Sequence, residues 1–283
     1  MATDKRRFLV IIKIIALVIW LLYLLVFNGG FRDYLPYYSY SDAYEKTNLK
    51  IQGGIALIGG SNLIDGLSAK MIHDNTRKCK NFGISSELGG FKNYCYWLDD
   101  RVKANFVVYS PLLIWNENLD NLVRENQLDK VIPAIPIATQ LWSVFAFSEV
   151  KKFRFDSFGD RIDYHCDSLF ETFTLNETDF CNSNPLIVSE LLNRVIKLKK
   201  ITKAKIVFVR VPPIYVENRK LELYRGIMNK RVNALKEAGI IIIGNTIVSS
   251  DKSLFCDPFH PSKKGRDYFS RELKVCLQKN NAL

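Results

Sequence analysis

The sequence predicts an α/β domain built on a parallel sheet. Buried parallel strands are covered on both faces, so they read as unbroken apolar runs rather than alternating ones. Four predominantly apolar runs of this kind occur: Ile55–Ile58 between glycines, Asn105–Tyr109, Lys205–Val211 stopped by Pro212-Pro213, and Ile240–Ile243. Helical stretches stand beside them, over Leu63–Asp74 after the first run and Val216–Ala238 before the fourth. A last helix is expected over Ser262–Gln278, where Ser262 follows Pro261 and is a usable N-cap. Strands alternating with helices call for a parallel sheet with right-handed crossovers.

One region interrupts this pattern. Residues 112–184 separate two strands by far more than a crossover helix needs, and read as an insertion. Its apolar part, Val131–Phe147, carries Pro133, Pro136, Leu141, Trp142, Phe145 and Phe147, and is too broken to span a membrane. It suits a lid, an acyl-chain groove or a surface resting on lipid, or an ordinary subdomain with a small core of its own.

The chain has 283 residues, 48% of them apolar and 24% charged, which supports a sizeable core and excludes disorder as the whole account. Forty Lys and Arg face 29 Asp and Glu, for a net charge of +11. A basic body favours anionic partners, unless it is only a solvated surface in a Lys-rich chain. No nucleic-acid-binding motif is present, so nucleic acid is not expected as a partner.

The N-terminus carries its own signal. Phe8–Phe27 is broken only by Lys13 and matches the roughly 20 residues that cross a bilayer as a helix. A cleaved signal peptide has a shorter apolar region and small residues at the cut, whereas this run ends in Leu24-Leu25-Val26-Phe27. An uncleaved single-pass anchor is therefore expected over 8–27. Lys5, Arg6 and Arg7 crowd its front, which places residues 1–7 in the cytoplasm and the rest of the chain outside it. Residues 28–50, with Tyr34, Tyr37, Tyr38 and Tyr40, read as a stalk, and 51–283 as the folded domain.

Six cysteines suit an exported domain, and no C-x-x-C pair points to zinc or thioredoxin-like chemistry. Sequence-near disulfides, Cys79 with Cys95 or Cys166 with Cys181, are guesses; six unpaired thiols are the alternative. Asn176-Glu177-Thr178 is a glycosylation sequon, relevant only in a eukaryotic secretory route.

Three places carry chemistry. In Gly59-Gly60-Ser61-Asn62, a serine follows the first strand and opens a helix, at the carboxyl end where open α/β sheets place ligands. Its N–H, at a helix start, favours a developing oxyanion; a plain strand-to-helix turn is the rival reading. In Cys256-Asp257-Pro258-Phe259-His260-Pro261, the spacing lets a carboxylate and an imidazole meet on one loop. A serine hydroxyl needs such a base, and the base an orienting acid. In Asn81-Phe82-Gly83, a glycine can offer an unobstructed N–H as a second oxyanion donor.

Together these blocks resemble the SGNH (GDSL-like) hydrolase superfamily, over about residues 51–280, and its membrane-anchored cell-envelope branch more than its small secreted lipases. Gly265 completes a D-x-x-H-x-x-x-x-G pattern. The resemblance implies a flavodoxin-like three-layer α/β/α sandwich. It implies a triad of Ser61 as nucleophile, His260 as base and Asp257 as its partner, with the N–H groups of Ser61 and Gly83 in the oxyanion hole. The family's third-block asparagine has no counterpart in Tyr109-Ser110-Pro111-Leu112; Asn62 is a possible substitute donor, and Asn116 and Asn118 lie further on. Arg210, at a strand end, either holds a substrate phosphate or carboxylate or pairs with a local acid. Lys263, Lys264 and Arg266 either add positive field near the site or form a solvated helix face.

The expected activity is serine-dependent ester hydrolysis or O-acyl transfer through an acyl-enzyme, on an anionic envelope glycan or glycolipid, with the membrane and envelope-assembly proteins as partners. The alternative is a catalytically inactive glycan-binding or assembly subunit with the same fold. No metal cluster or phosphate-binding glycine loop is present, so no cofactor is expected.

Overall fold

The computed structural model describes residues 2–28, 46, 48–84, 91, 98–99, 101–115, 154–163, 166, 185–244 and 248–283. The chain divides into two compact units, Met1–Ser41 with Pro133–Lys152, and Asp42–Ile132 with Phe153–Leu283. In the first unit, helix α1 spans Ala2–Asn28, and Phe8 and residues 10–22 are exposed along it. Among the described residues no helix is long and apolar enough to cross a membrane. The anchor expected over 8–27 gains no support here. Val131–Phe147, Asn116, Asn118 and the sequon lie outside the described residues.

The second unit holds the sheet. Its strands are β1 (Ile51–Gln52), β2 (Ile55–Gly59), β3 (Cys79–Asn81), β4 (Val102–Lys103), β5 (Phe106–Ser110), β6 (Ile206–Arg210), β7 (Ile214–Tyr215), β8 (Ile241–Ile243) and β9 (Val248–Ser249). Its helices are α2 (Ser61–Gly66), α3 (Ala69–Ile72), α4 (Pro185–Thr202), α5 (Leu221–Glu237) and α6 (Lys263–Lys279). The main sheet runs β3-β2-β5-β6-β8, parallel throughout. Counted along the chain this is the order 2-1-3-4-5 of flavodoxin-like sheets, with its switch point between β2 and β5. The short pairs β1–β4 and β7–β9 stand apart.

Successive side chains of a strand face opposite ways, and both faces are covered. Ile55 and Leu57 join Leu63, Ala69, Phe269 and Leu273 under α2, α3 and α6. Ala56 and Ile58 join Leu191, Leu198, Met228 and Val232 under α4 and α5. The four expected strands therefore form, within a residue of their expected ends, in a three-layer arrangement.

Three expectations need correction. The helix over Leu63–Asp74 is broken, because Leu67 and Ser68 are extended. Ser68 caps α3 by accepting from the Met71 N–H, and Asp160 accepts from the Ala69 and Lys70 N–H groups. The helix over Val216–Ala238 starts only at Leu221, because the Val216 N–H is held by the Ser249 carbonyl beside β9. The stalk ends before residue 50: Lys46 is 1% exposed, and its Nζ donates to the carbonyls of Asn81 (3.1 Å) and Gly83 (2.7 Å).

Residues 154–163 of the insertion also join the body. The Asn81 N–H donates to the Phe158 carbonyl, and Asp160 is buried against α3. Both guessed disulfides give way. Cys166 is bonded to Cys256, and Cys79 is a buried free thiol.

Candidate active site

The nucleophile block is shaped by close approach. A Cβ on Gly59 would lie 2.6 Å from the Ser110 carbonyl oxygen and 3.1 Å from Leu63, so only glycine lets β2 end this near β5 and α2. Gly60 is the N-cap, and its carbonyl accepts from Leu63 and Ile64 at 3.0 and 3.2 Å. That turn sets the half-buried Ser61 at the switch point of the sheet.

The candidate base, His260, comes from a tight hairpin before α6. The Cys256 N–H donates to the His260 carbonyl (2.8 Å), and Phe255 bridges Pro261. Inside the turn, Asp257 Oδ1 accepts from the N–H groups of Phe259 (2.8 Å) and His260 (2.9 Å), which orients the carboxylate. Asp257 Oδ2 lies 2.7 Å from His260 Nδ1, and His260 Nε2 lies 2.9 Å from Ser61 Oγ. With the ring proton on Nδ1 donated to Asp257, Nε2 is left to accept from the serine hydroxyl. Gly265 is needed just beyond, since a Cβ there would run into the Leu254 carbonyl. Ser262 caps α6 as expected, accepting from the Gly265 N–H.

The cluster is open to solvent: the His260 side chain is 32% exposed and that of Asp257 48%. Burial by itself lowers the His260 pKa, but the hydrogen bond and charge of Asp257, helped by Asp65, raise it above the ordinary value. Burial pushes the Asp257 carboxyl up, and the His260 bond and charge with the two backbone N–H groups bring it below its usual range.

The expected oxyanion donors fare unevenly. Ser61 opens α2, and the first N–H groups of a helix have no intrahelical acceptor. The Gly83 N–H is taken by Asn81 Oδ1 at 2.9 Å, because Asn81 closes a turn on its own chain; the expected second donor is engaged. Asn62 Nδ2 donates to Ser110 Oγ at 3.4 Å, while Asn62 Oδ1 is buried without a partner among the described residues.

Arg210 does not serve the site as an open guanidinium. It is 2% exposed and pairs with Glu272 on α6 at 3.3 Å, so the local-acid alternative holds. His73 accepts from the Cys79 N–H through Nδ1, away from the triad; His165 is outside the described residues. Lys264 donates to Ser253 Oγ, and Arg266 donates to the Arg161 carbonyl.

Two charged neighbours of His260 escape the motif reading: Asp65, one turn after Ser61, and Arg161, which bonds it at 3.1 Å. Helical spacing from Ser61 points to Asp65; nothing local in the sequence points to Arg161. Among the described residues no group of His, Cys, Asp and Glu side chains is arranged to hold a metal ion.

No protein-family model matches the chain. No curated protein matches it either. Among solved structures it is similar to a lipase/acylhydrolase from Enterococcus faecalis, at 11% identity and a TM-score of 0.40 over 81% of this chain and 97% of that one. It is also similar to a catalytic mutant of an acetylxylan esterase from Geobacillus stearothermophilus, at 13% identity and a TM-score of 0.39 over 81% of this chain and 96% of that one. At that level of likeness the chemistry rests on this chain's own geometry.

Proposed function

We propose that the chain is a serine-dependent ester hydrolase or O-acyltransferase working through an acyl-enzyme. The reading is carried by the continuous hydrogen-bonded chain Ser61 Oγ, His260 Nε2, His260 Nδ1, Asp257 Oδ2. Ser61 Oγ attacks the ester carbonyl while Nε2 takes its proton. The C–O bond to the alcohol breaks, and the imidazolium returns the proton to the leaving oxygen. Water, or a sugar hydroxyl, then gives its proton to Nε2 and attacks the acyl carbon; the acyl C–O bond to Ser61 breaks and the imidazolium returns the proton to Ser61 Oγ. Asp257 holds the imidazole and stabilises its charged form throughout.

The substrate we infer is an ester on an anionic envelope glycan or glycolipid, met outside the cytoplasm by a chain anchored through Phe8–Phe27. Three things support this: the net charge of +11, the apolar run Phe8–Phe27 of the sequence, and the Cys166–Cys256 bond, which suits an oxidising compartment. The full chain is expected in the membrane fraction after an alkaline wash; recovery in the supernatant removes the anchor.

The engaged Gly83 N–H favours a second reading, a glycan-binding or assembly subunit that keeps the fold without turnover. A fluorescent alkyl phosphonate separates the two. Labelling of the wild type that vanishes in Ser61→Ala supports the enzyme, and a folded protein that stays unlabelled supports the binder.

A further inference from the structure

The insertion does more than interrupt the sheet. Its 154–163 segment runs back against the body and is fixed there: Asp160 accepts from Ser68 Oγ (2.7 Å), Ala69 N–H (2.7 Å), Lys70 N–H (2.9 Å) and Asn81 Nδ2 (3.3 Å). A few residues on, Cys166 is bonded to Cys256, directly before Asp257. Arg161 stands between these two ties. One guanidinium nitrogen donates to Asp65 Oδ1 at 3.1 Å, Nε donates to Asp163 Oδ1 at 3.3 Å, and its carbonyl accepts from Arg266. Asp65 is 6% exposed on α2, one turn beyond the nucleophile.

We propose that Asp65 and Arg161 are a positioning pair that sets the basicity of His260, with the insertion supplying the arginine. The proposal rests on the reading of His260 as the base. The helix that carries Asp65 packs on the His260 loop: a Cβ on Gly66 would lie 2.9 Å from Pro261, and Ser61 Oγ at its start is 2.9 Å from His260 Nε2. A buried carboxylate carried this close to an imidazole favours the imidazolium, and a protonated Nε2 cannot take the serine proton. Asp65 alone would hold His260 in that idle form, and Arg161 offsets it. The charges facing His260 come from each surrounding element: Asp257 from its own loop, Asp65 from α2 and Arg161 from 154–163, with Arg266 of α6 acting on Asp65. The two act in opposite senses, Asp65 raising the imidazole's proton affinity and Arg161 lowering it. Burial pushes the Asp65 carboxyl up, and Arg161 opposes this.

The chain has 3 histidines, so the imidazole C–H signals can be followed by NMR across a pH titration, with His260→Ala to identify the relevant one. Asp65→Asn is expected to lower the His260 midpoint and Arg161→Met to raise it, each by at least a few tenths of a pH unit. The double variant should return near the wild-type midpoint, and Arg161→Lys, which keeps the charge, should stay there. Midpoints that do not move, or single variants that shift the same way, overturn the proposal. So does an Arg161→Lys shift equal to that of Arg161→Met, which would mark packing rather than charge. If Arg161→Met does not fold, Asp65→Asn and Arg161→Lys decide alone. The readout needs no substrate: midpoints that move as stated in a protein without ester turnover leave the pair standing and remove the hydrolase reading, whereas turnover with unmoved midpoints removes the pair.

Discussion

Ser61→Ala and His260→Ala are each expected to cut turnover of an activated ester such as p-nitrophenyl acetate by ~10³–10⁶, and the double variant to be no worse than either single one. Nucleophile and base act on one proton in one step, so removing either leaves the other idle. Asp257→Asn keeps the turn but reverses the partner of Nδ1–H, and is expected to cost on the order of 10⁴ in kcat. Additive losses in the double variant would mean that Ser61 and His260 do not act together despite the 2.9 Å contact. In the wild type, kcat/KM should rise with pH. On the proposed mechanism His260 works as the neutral base, and its pKa is raised above the ordinary value, so activity is lost as the pH falls through that raised midpoint. An acid limb centred below the ordinary histidine value would contradict the Asp257 contact.

Asp160→Ala is expected to be the most damaging substitution outside the triad. The carboxylate is 2% exposed and takes four hydrogen bonds from Ser68, Ala69, Lys70 and Asn81. Truncation leaves buried donors without acceptors, at about 1–3 kcal/mol each where no water replaces the carboxylate. The expected total is about 3–5 kcal/mol, or roughly 6–20 °C in melting temperature for a domain of this size. Two of those donors start α3 and one is Asn81, whose other side-chain atom holds the Gly83 N–H. The loss should therefore reach the second block, and kcat should fall at temperatures where the protein is still folded. A melting temperature within a degree or two of wild type would show that solvent substitutes for the carboxylate.

What was legible in the sequence was legible for local reasons. Ile55–Ile58 and the Ile206–Val209 part of the third run point to buried parallel strands because nothing polar interrupts them on either face. Asp257 and His260 could be paired because their contact is made within one turn. Their junction with Ser61 crosses the whole domain; in the sequence only the resemblance implies it, and in the structure it is the 2.9 Å contact between Nε2 and Oγ. What stayed hidden depends on contacts distant in sequence. Asp160 breaks the helix expected over Leu63–Asp74 from a segment some ninety positions away. Arg210 is claimed by Glu272 of α6, and Cys166 by Cys256 rather than by the nearer Cys181. The engagement of the Gly83 N–H depends on a local detail that no motif encodes, the inward turn of the Asn81 amide oxygen.

The nucleophile and the base are separated by 199 positions along the chain. During synthesis Ser61 therefore leaves the ribosome long before His260 exists. A growing polypeptide carries a hydroxyl with no proton acceptor, as inert toward esters as any surface serine. On the proposed mechanism reactivity arrives only when the final hairpin is laid against the first strand turn, so a product truncated before Asp257 is expected to be chemically silent wherever it ends up.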